Sequence, residues 1–139
     1  MKTRTRVALA ALACAAPILL ASSGQATDLT GRWASDTDAC DKIFVSKGNQ
    51  ASFRRDSDMF GSGFIIDGRR IRGRMASCTI TKSTESQGVV HMLASCATDI
   101  MLQNVQFSVR VLDENRISRI FPGIDGMEMT YSRCPTQRK

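Results

Sequence analysis

Four cysteines constrain the fold of this chain more than any other feature of its sequence. They are Cys40, Cys78, Cys96 and Cys134. An even number of cysteines in a small exported domain is typical of a disulfide framework. Zinc binding is the alternative, but there is no Cys-x-x-Cys pair and His91 is the sole histidine. The sequence therefore predicts two disulfides, no metal centre and no cofactor.

Residues 1–26 have the parts of a secretory signal peptide. A basic start precedes an apolar run over residues 7–21, and Gly24-Gln25-Ala26 supplies small residues at a cleavage site. The apolar run is shorter than the roughly 20 residues that a membrane-spanning helix needs. We therefore expect a periplasmic or secreted protein with no transmembrane segment in the mature chain. Residues 27–139 are predicted to form one domain.

Cys14 raises the alternative of a lipidated N-terminus. The residues before it, Ala11-Leu12-Ala13, have alanine where a lipidation box usually has leucine, and the apolar run continues past the cysteine. Cleavage after Ala26 is the interpretation that the sequence favours.

Removal of the signal peptide lowers the net charge from +6 to +3, because Lys2, Arg4 and Arg6 are lost. A charge of +3 favours solubility and is no indication of a nucleic-acid partner. Aromatic residues make up only 6% of the chain, so there are few platforms for base stacking. We expect a monomer that does not bind nucleic acid.

Short apolar or alternating segments separated by turns predict an all-β fold. Val105–Val111 and Met127–Tyr131 alternate between apolar and polar residues, as half-buried strands do. The only stretch with any helical character is Thr98–Asn104. We predict an antiparallel meander of eight or nine short strands that forms a closed or nearly closed small barrel.

The stretch Arg69–Cys96 is interpreted as a central hairpin of two long strands. Its first arm changes the parity of its apolar residues, which a β-bulge near Ala76 would explain. Ser83–Gly88 is polar and is predicted to be the turn. The second arm, Val89–Ala94, is almost continuously apolar, as expected for a strand that is covered on both faces.

Asp67-Gly68 is the strongest tight-turn signal in the chain, because a type I′ turn needs positive φ at both central residues. A two-residue turn at this place pairs Ile66 with Arg69, Ile65 with Arg70 and Phe64 with Ile71.

Four cysteines allow three pairings, and the sequence does not choose among them. We favour the nested arrangement. Cys78 and Cys96 would join the two arms of the central hairpin, and Cys40 and Cys134 would join the start of the domain to its end.

The opening Gly31-Arg32-Trp33 resembles the Gly-x-Trp first strand of calycin barrels, including lipocalins and the small bacterial metalloprotease inhibitors. In those inhibitors a cysteine follows the tryptophan closely, as Cys40 follows Trp33 here. The resemblance implies a small barrel with a carrier or inhibitor role. This chain is shorter than a typical lipocalin, and it has too few residues before Gly31 for the inhibitors' trunk. We expect Trp33 to be a core residue.

Catalytic and metal-binding motifs are weak. His91 lies within a predicted strand, and sequence places no nucleophile or carboxylate beside it. Gly61-Ser62-Gly63 does not match the Gly-x-Ser-x-Gly elbow. Asp56–Gly61 matches a calcium loop only in part, since Phe60 stands at a ligand position. The sequence therefore predicts a protein that is not an enzyme, and a hydrolase is the least favoured alternative.

Arginines concentrate in one part of the chain. They are Arg54, Arg55, Arg69, Arg70, Arg72 and Arg74. Arg70, Arg72 and Arg74 share parity, so they should project from one face of one strand. Guanidinium groups suit carboxylates and phosphates, which indicates an acidic envelope protein, a lipid headgroup or a glycan as partner. A solvated outer face is the alternative.

These observations favour an exported binding or inhibitor-like module that contacts another cell-envelope macromolecule. A carrier that holds a small apolar ligand inside the barrel is the alternative.

The exported protein should begin at Thr27, because Ala26 ends the small-residue cleavage site. Intact-mass spectrometry of the secreted or periplasmic protein checks this directly. A mass that includes residues 1–26, or a lipid attached at Cys14, would remove the predicted localisation.

Overall fold

The computed structural model describes residues 26–136, which form a closed barrel of eight antiparallel strands with a two-stranded sheet outside it. The barrel strands are β1 (Gly31–Ala34), β4 (Gly63–Asp67), β5 (Arg70–Arg72), β6 (Ser77–Ser86), β7 (Val89–Ala97), β8 (Leu102–Asp113), β9 (Arg116–Ile120) and β10 (Glu128–Arg133). The outer sheet pairs β2 (Phe44–Lys47) with β3 (Gln50–Phe53). The predicted all-β, closed antiparallel fold is confirmed. The predicted signal peptide lies outside the described residues, apart from Ala26.

The barrel strands follow one another as a meander, with each strand from β4 to β10 paired to the next. β1 closes the barrel because it pairs with β4 on one side and with β10 on the other. Trp33 lies opposite Phe64 in β4 and opposite Arg133 in β10. This is the architecture that the resemblance to calycin barrels implies.

Apolar side chains fill the barrel interior. The buried members of this core are Leu29, Trp33, Phe64, Ile66, Ile71, Ile80, Val90, Met92, Phe107, Val109, Ile117 and Tyr131. The ring of Phe64 meets those of Phe107 and Tyr131 edge-on, at centroid distances of 5.2 and 4.8 Å. Trp33 is fully buried and its indole nitrogen donates to the carbonyl oxygen of Leu29 at 2.9 Å. The prediction that Trp33 is a core residue is confirmed.

A second apolar cluster lies on the outside of the barrel wall. It is formed by the insertion between β1 and β4, which contains a 3-10 turn (Thr37–Ala39), the short helix α1 (Cys40–Ile43), the β2–β3 hairpin and a second 3-10 turn (Ser57–Phe60). Ile43 and Phe44 of the insertion belong to one buried cluster with Ile65 of the wall. At Gly63 a Cβ would lie 2.8 Å from the Phe44 ring, so glycine permits this close packing.

Both disulfides form in the nested arrangement favoured from the sequence. Cys78 and Cys96 lie directly opposite each other on β6 and β7, with a Cα–Cα distance of 4.0 Å. Cys40 and Cys134 join the insertion to the residue that follows β10, with a Cα–Cα distance of 5.7 Å. The second bond therefore holds the outer cluster against the barrel.

The predicted central hairpin is wrong in its first arm. The chain reverses at Gly73–Ala76, where the Gly73 amide donates to the Ala76 carbonyl oxygen at 2.8 Å, so the arm is two paired strands rather than one bulged strand. The parity of the apolar residues changes at this tight turn. A register shift does occur in β6, but between Ile80 and Lys82. The turn after β6 is also shorter than predicted, since β6 continues to Ser86.

The predicted register at Asp67-Gly68 is also wrong. Asp67 belongs to β4 and pairs with Arg70, so Gly68 and Arg69 form the turn. Ile66 therefore lies opposite Ile71, and Ile65 lies opposite Arg72. The side chain of Arg69 donates to the carbonyl oxygen of Ile80 at 2.8 and 3.0 Å. The turn residue Arg69 is therefore in contact with β6.

Two local expectations differ from the structure. Thr98–Asn104 is not helical, because a tight turn with a bond from the Thr98 amide to the Met101 carbonyl leads directly into β8. β7 is not covered on both faces, since Leu93 on its outer face is 46% exposed.

The antiparallel order gives the barrel two distinct ends. The N-terminal end carries residues 27–30 and the turns that follow β4, β6 and β8. The loop end carries the start and finish of the insertion and the connections that follow β5, β7 and β9.

The two disulfides should contribute unequally to stability. Their sequence separations are 18 and 94 residues, and chain-entropy estimates give about 3 kcal/mol for a 15-residue loop and about 4.7 kcal/mol for a 100-residue loop. Replacement of Cys40 and Cys134 by serine should therefore lower the free energy of unfolding more than replacement of Cys78 and Cys96. Urea unfolding of the two double variants measures this. Equal losses, or a larger loss at Cys78–Cys96, would contradict it.

Candidate binding groove

A groove of about 1120 Å³ runs between the β2–β3 hairpin and the outer wall of the barrel. Ser46, Asn49 and Gln50 line it from the hairpin side. Arg70 and Arg72 line it from β5. The chain segment after β10 contributes Pro135 and Thr136 at one side. The groove is the space between the polar end of the hairpin and the wall, since the apolar cluster of the insertion packs against the wall beside it.

Arg72 holds the hairpin at its distance from the wall. Its neighbour Ile71 is buried in the core, so Arg72 projects outward, as alternation along a strand requires. One guanidinium nitrogen, Nη2, donates to the carbonyl oxygen of Ala51 in β3 at 2.8 Å. The half-buried Arg72 is thus a structural tether as well as part of the groove wall.

Arg70 projects from the same face of β5 and is exposed in the groove. Within residues 26–136 its guanidinium makes no hydrogen bond or ion pair, so its donors are available to a ligand. The groove lining contains four arginines and two aspartates, which makes the local charge positive. Two of those arginines are committed elsewhere, since Arg32 donates to the Pro135 carbonyl and Arg133 donates to three backbone carbonyls.

The other predicted arginines do not form one row with Arg70 and Arg72. Arg74 lies in the turn after β5, and its guanidinium donates to the carbonyl oxygens of Arg54 and Arg55. Arg54 in turn donates to the Asp41 carbonyl oxygen at 2.6 Å. These contacts fasten the end of the insertion to the barrel. Of the six arginines singled out, only Arg70 and Arg72 line the groove.

Sequence reasoning missed the hairpin side of the groove. In the sequence, Asn49 and Gln50 indicate only a turn and the start of a strand, and Arg32 is only a polar residue beside Trp33. Their proximity to Arg70 depends on how the insertion folds back onto the wall. No short-range signal in the sequence indicates that contact.

A smaller cavity of about 430 Å³ opens at the N-terminal end of the barrel. Its apolar lining comes from the core residues Leu29, Ile66, Ile80, Val90 and Met92. The segment of residues 27–30 lies beside its opening. The Thr27 hydroxyl is held there by both carboxylate oxygens of Glu85, at 3.0 and 3.1 Å.

His91 forms a pair with Ser108 on the outer face of β7 and β8. Nδ1 of His91 lies 2.9 Å from the Ser108 hydroxyl oxygen, which also accepts from the amide nitrogen of Gln106 at 3.2 Å. Ser108 is 2% exposed, so a substrate could not reach its hydroxyl without rearrangement. Neither residue lines the groove or the cavity. The pair therefore has the geometry of a satisfied hydrogen bond in the wall.

No group of three or more His, Cys, Asp or Glu side chains is placed to hold a metal ion within residues 26–136. The partial calcium motif at Asp56–Gly61 folds as the second 3-10 turn, Ser57–Phe60. In the same part of the chain, no helix has the length and apolar character needed to cross a membrane.

Among residues 26–136, three carboxyl groups have a pKa below the ordinary range. Hydrogen bonds from Thr30 lower the pKa of Asp28, with a smaller contribution from the charge of Arg133. The side chain of Arg116 and the Asn115 amide lower the pKa of Asp113. A hydrogen bond from Ser118, then Arg110, lowers the pKa of Glu128. All three are ionised at neutral pH, and none lines the groove.

No family model, curated protein or solved structure matches this chain.

Replacement of Arg72 by methionine should loosen the β2–β3 hairpin without unfolding the barrel. The variant loses the bond to the Ala51 carbonyl, and a single hydrogen bond contributes about 0.5–1.5 kcal/mol net, or somewhat more when one partner is charged. Faster amide exchange in β3, measured by hydrogen–deuterium exchange, is the expected result. Arg70→Met is the matched control and should leave exchange in β3 unchanged. Identical exchange in both variants would show that Arg72 is no tether.

Proposed function

We propose that this protein is a non-enzymatic binding module of the cell envelope, with the groove beside the β2–β3 hairpin as its recognition site. The observation that carries the proposal is Arg70, an exposed guanidinium that makes no hydrogen bond or ion pair with residues 26–136, in a groove whose lining is net positive. The two disulfides support a periplasmic or secreted location, because such bonds persist in oxidising compartments. The small closed barrel and the Gly31-Arg32-Trp33 opening support a calycin-like relationship.

The partner that the groove fits best is an acidic, extended segment of another protein. A two-sided cleft suits a chain that enters it, whereas a lipid headgroup layer requires a protruding or flat basic face. A polyanionic glycan requires several available cations, and the groove offers mainly Arg70, since Arg72 is already bonded to the hairpin. Asn49 and Gln50 on the opposite side carry amides that can donate to and accept from a peptide backbone.

A carrier of a small apolar ligand is the second candidate function. The cavity at the N-terminal end has a volume of about 430 Å³ and a lining that includes Ile66, Val90 and Met92. Ligand sites usually measure about 300–1,000 Å³, so this cavity is at the small end of the range. Copurification of an apolar molecule with the protein, identified by mass spectrometry after solvent extraction, would favour this function.

A fluorescein-labelled peptide rich in glutamate should bind the protein and lose affinity in Arg70→Glu. A charge reversal removes the attraction and adds a repulsion, so we expect a loss of about ten-fold or more, measured by fluorescence anisotropy. The affinity of the parent protein should also fall as salt is raised.

Arg55→Glu is the matched control for this experiment. Arg55 is exposed and its side chain makes no hydrogen bond or ion pair within residues 26–136, yet it does not line the groove. Its replacement should change the affinity little. Equal affinity in the parent and both variants, or equal binding of a peptide with glutamine in place of glutamate, would overturn the proposed function.

A further inference from the structure

Exposed apolar side chains concentrate at the loop end of the barrel. Nine of the eleven large hydrophobic residues that are exposed in residues 26–136 lie there. They are Met59, Phe60, Met75, Ile100, Met101, Leu102, Ile124, Met127 and Met129. We call this set the apolar rim. Its members come from the insertion, from the connections after β5, β7 and β9, and from the first residues of β8 and β10, so they surround the end of the barrel rather than one side of it. Large apolar residues exposed together at one end of a domain are a feature of interaction sites.

One cation lies within this end of the barrel. Arg119 of β9 pairs with Val109 of β8 and with Met129 of β10. Val109 is completely buried in the core, so the side chain of Arg119 points to the same inner side of the sheet. Its guanidinium lies 4.4 Å from the centroid of the Phe107 ring and 4.6 Å from that of Phe121. Arg119 is half-buried in these surroundings.

The guanidinium of Arg119 has no polar partner in the described residues, since no hydrogen bond or ion pair joins it to any group of residues 26–136. Arg133 at the N-terminal end provides an internal comparison. It stacks on Trp33 at a similar distance, 4.4 Å, but donates to the backbone carbonyls of Asp28, Thr30 and Glu114. The two arginines thus share their aromatic stacking, and only Arg119 keeps its donors available.

The neighbouring carboxylates do not neutralise Arg119. Glu128 begins β10 beside it, but Glu128 lies opposite Ile120 and accepts from Ser118 at 2.7 Å and from Arg110 at 3.4 Å. Arg119 is therefore a partly desolvated cation in an aromatic site. An anion that reached it would gain charge-assisted hydrogen bonds in a setting with little competing water.

We propose that the loop end binds a single-chain anionic amphiphile, such as a fatty-acid carboxylate. The carboxylate lies against Arg119, between the rings of Phe107 and Phe121, and the hydrocarbon chain covers part of the apolar rim. This ligand matches both features of the site, because it joins one charge to one apolar chain. The site is separate from the groove beside the β2–β3 hairpin and from the cavity at the N-terminal end.

The recessed position of Arg119 favours a free amphiphile over the surface of an anionic bilayer. Arg119 lies between two rings rather than on a protruding loop. The exposed charges around it are of both signs, since Asp99 and Asp125 are exposed, Asp58 pairs with Arg74 at 3.9 Å, and Lys42 lies over the Phe60 ring. A soluble monomer can reach Arg119, whereas the headgroups of an intact bilayer would meet the surrounding connections first.

Isothermal titration with dodecanoate, kept below its micelle concentration, tests the proposal on the disulfide-bonded protein. Dodecanoate should bind, and acetate should not, because acetate lacks the chain. Arg119→Gln should weaken dodecanoate binding by about ten-fold or more, since hydrogen bonds to charged groups contribute more than neutral ones. Arg70→Gln is the matched control and should bind dodecanoate like the parent.

Two further measurements keep the test decisive if Arg119→Gln does not fold. The Nε–H resonance of Arg119 in the parent protein should shift on addition of dodecanoate but not of acetate. Ile124→Ser, on an exposed connection, should weaken binding several-fold and leave the circular dichroism spectrum unchanged. The proposal is overturned if dodecanoate does not bind, if its binding is unaffected by Arg119→Gln, or if the protein binds anionic vesicles and not the monomer.

Discussion

Closure of the barrel depends on β1, a strand of only four residues that must pair on both of its edges. Its pairing with β10 is short, and Arg133 reinforces it by stacking on Trp33 and donating to the Thr30 carbonyl. A Cβ at Gly31 would lie 2.8 Å from Nη1 of Arg133, so the guanidinium would have to move, and the φ of +149° at Gly31 is one that residues with side chains rarely adopt. The Gly-x-Trp pattern therefore has a local physical reason. Glycine makes room for the cation, and tryptophan supplies the surface on which it lies.

The position of β1 also determines where a binding surface can form. Because β1 and β4 are neighbours in the barrel but 28 residues apart in the chain, the intervening insertion must lie outside the wall. It is anchored by an apolar cluster around Phe44 and by the Cys40–Cys134 bond, and its polar hairpin extends beyond that anchor. The groove is the space left between the two. Its positive lining comes from arginines on three strands of the barrel wall, β1, β5 and β10.

Much of this fold was accessible from the sequence. Alternation in residues 105–111, the buried Trp33 and the hairpin position of Cys78 and Cys96 all reflect local patterns that survive in the structure. The alternating segment 127–131 is a strand from Glu128 onward, but Met127 and Met129 are exposed rather than buried. The register at Asp67-Gly68 was not accessible, because the backbone carbonyl of Arg69 accepts from the amide of Ile80, eleven residues further along the chain. The turn preferences of a few adjacent residues carry no information about such a contact between strands.

The arginines illustrate the same limit for the candidate site. The spacing of Arg70, Arg72 and Arg74 places them on one face of a strand. It does not show which of their guanidinium groups donate hydrogen bonds to backbone carbonyls. Conversely, nothing in the sequence around Arg119 distinguishes it from the other arginines. Its character comes from Phe107 on the neighbouring strand β8, from Phe121 just after β9, and from the absence of an acceptor among the described residues near it.

The Cys40–Cys134 bond has a mechanical consequence. Tension applied between the segment before Cys40 and the segment after Cys134 passes through the sulfur atoms, so the chain between the cysteines, which are 94 positions apart, cannot extend. Of the barrel strands, β1 is the one that lies outside that covalent loop, so it is the strand that the force reaches. Under load the barrel would therefore open by release of β1 from β4 and β10, while the other seven strands stay paired with one another.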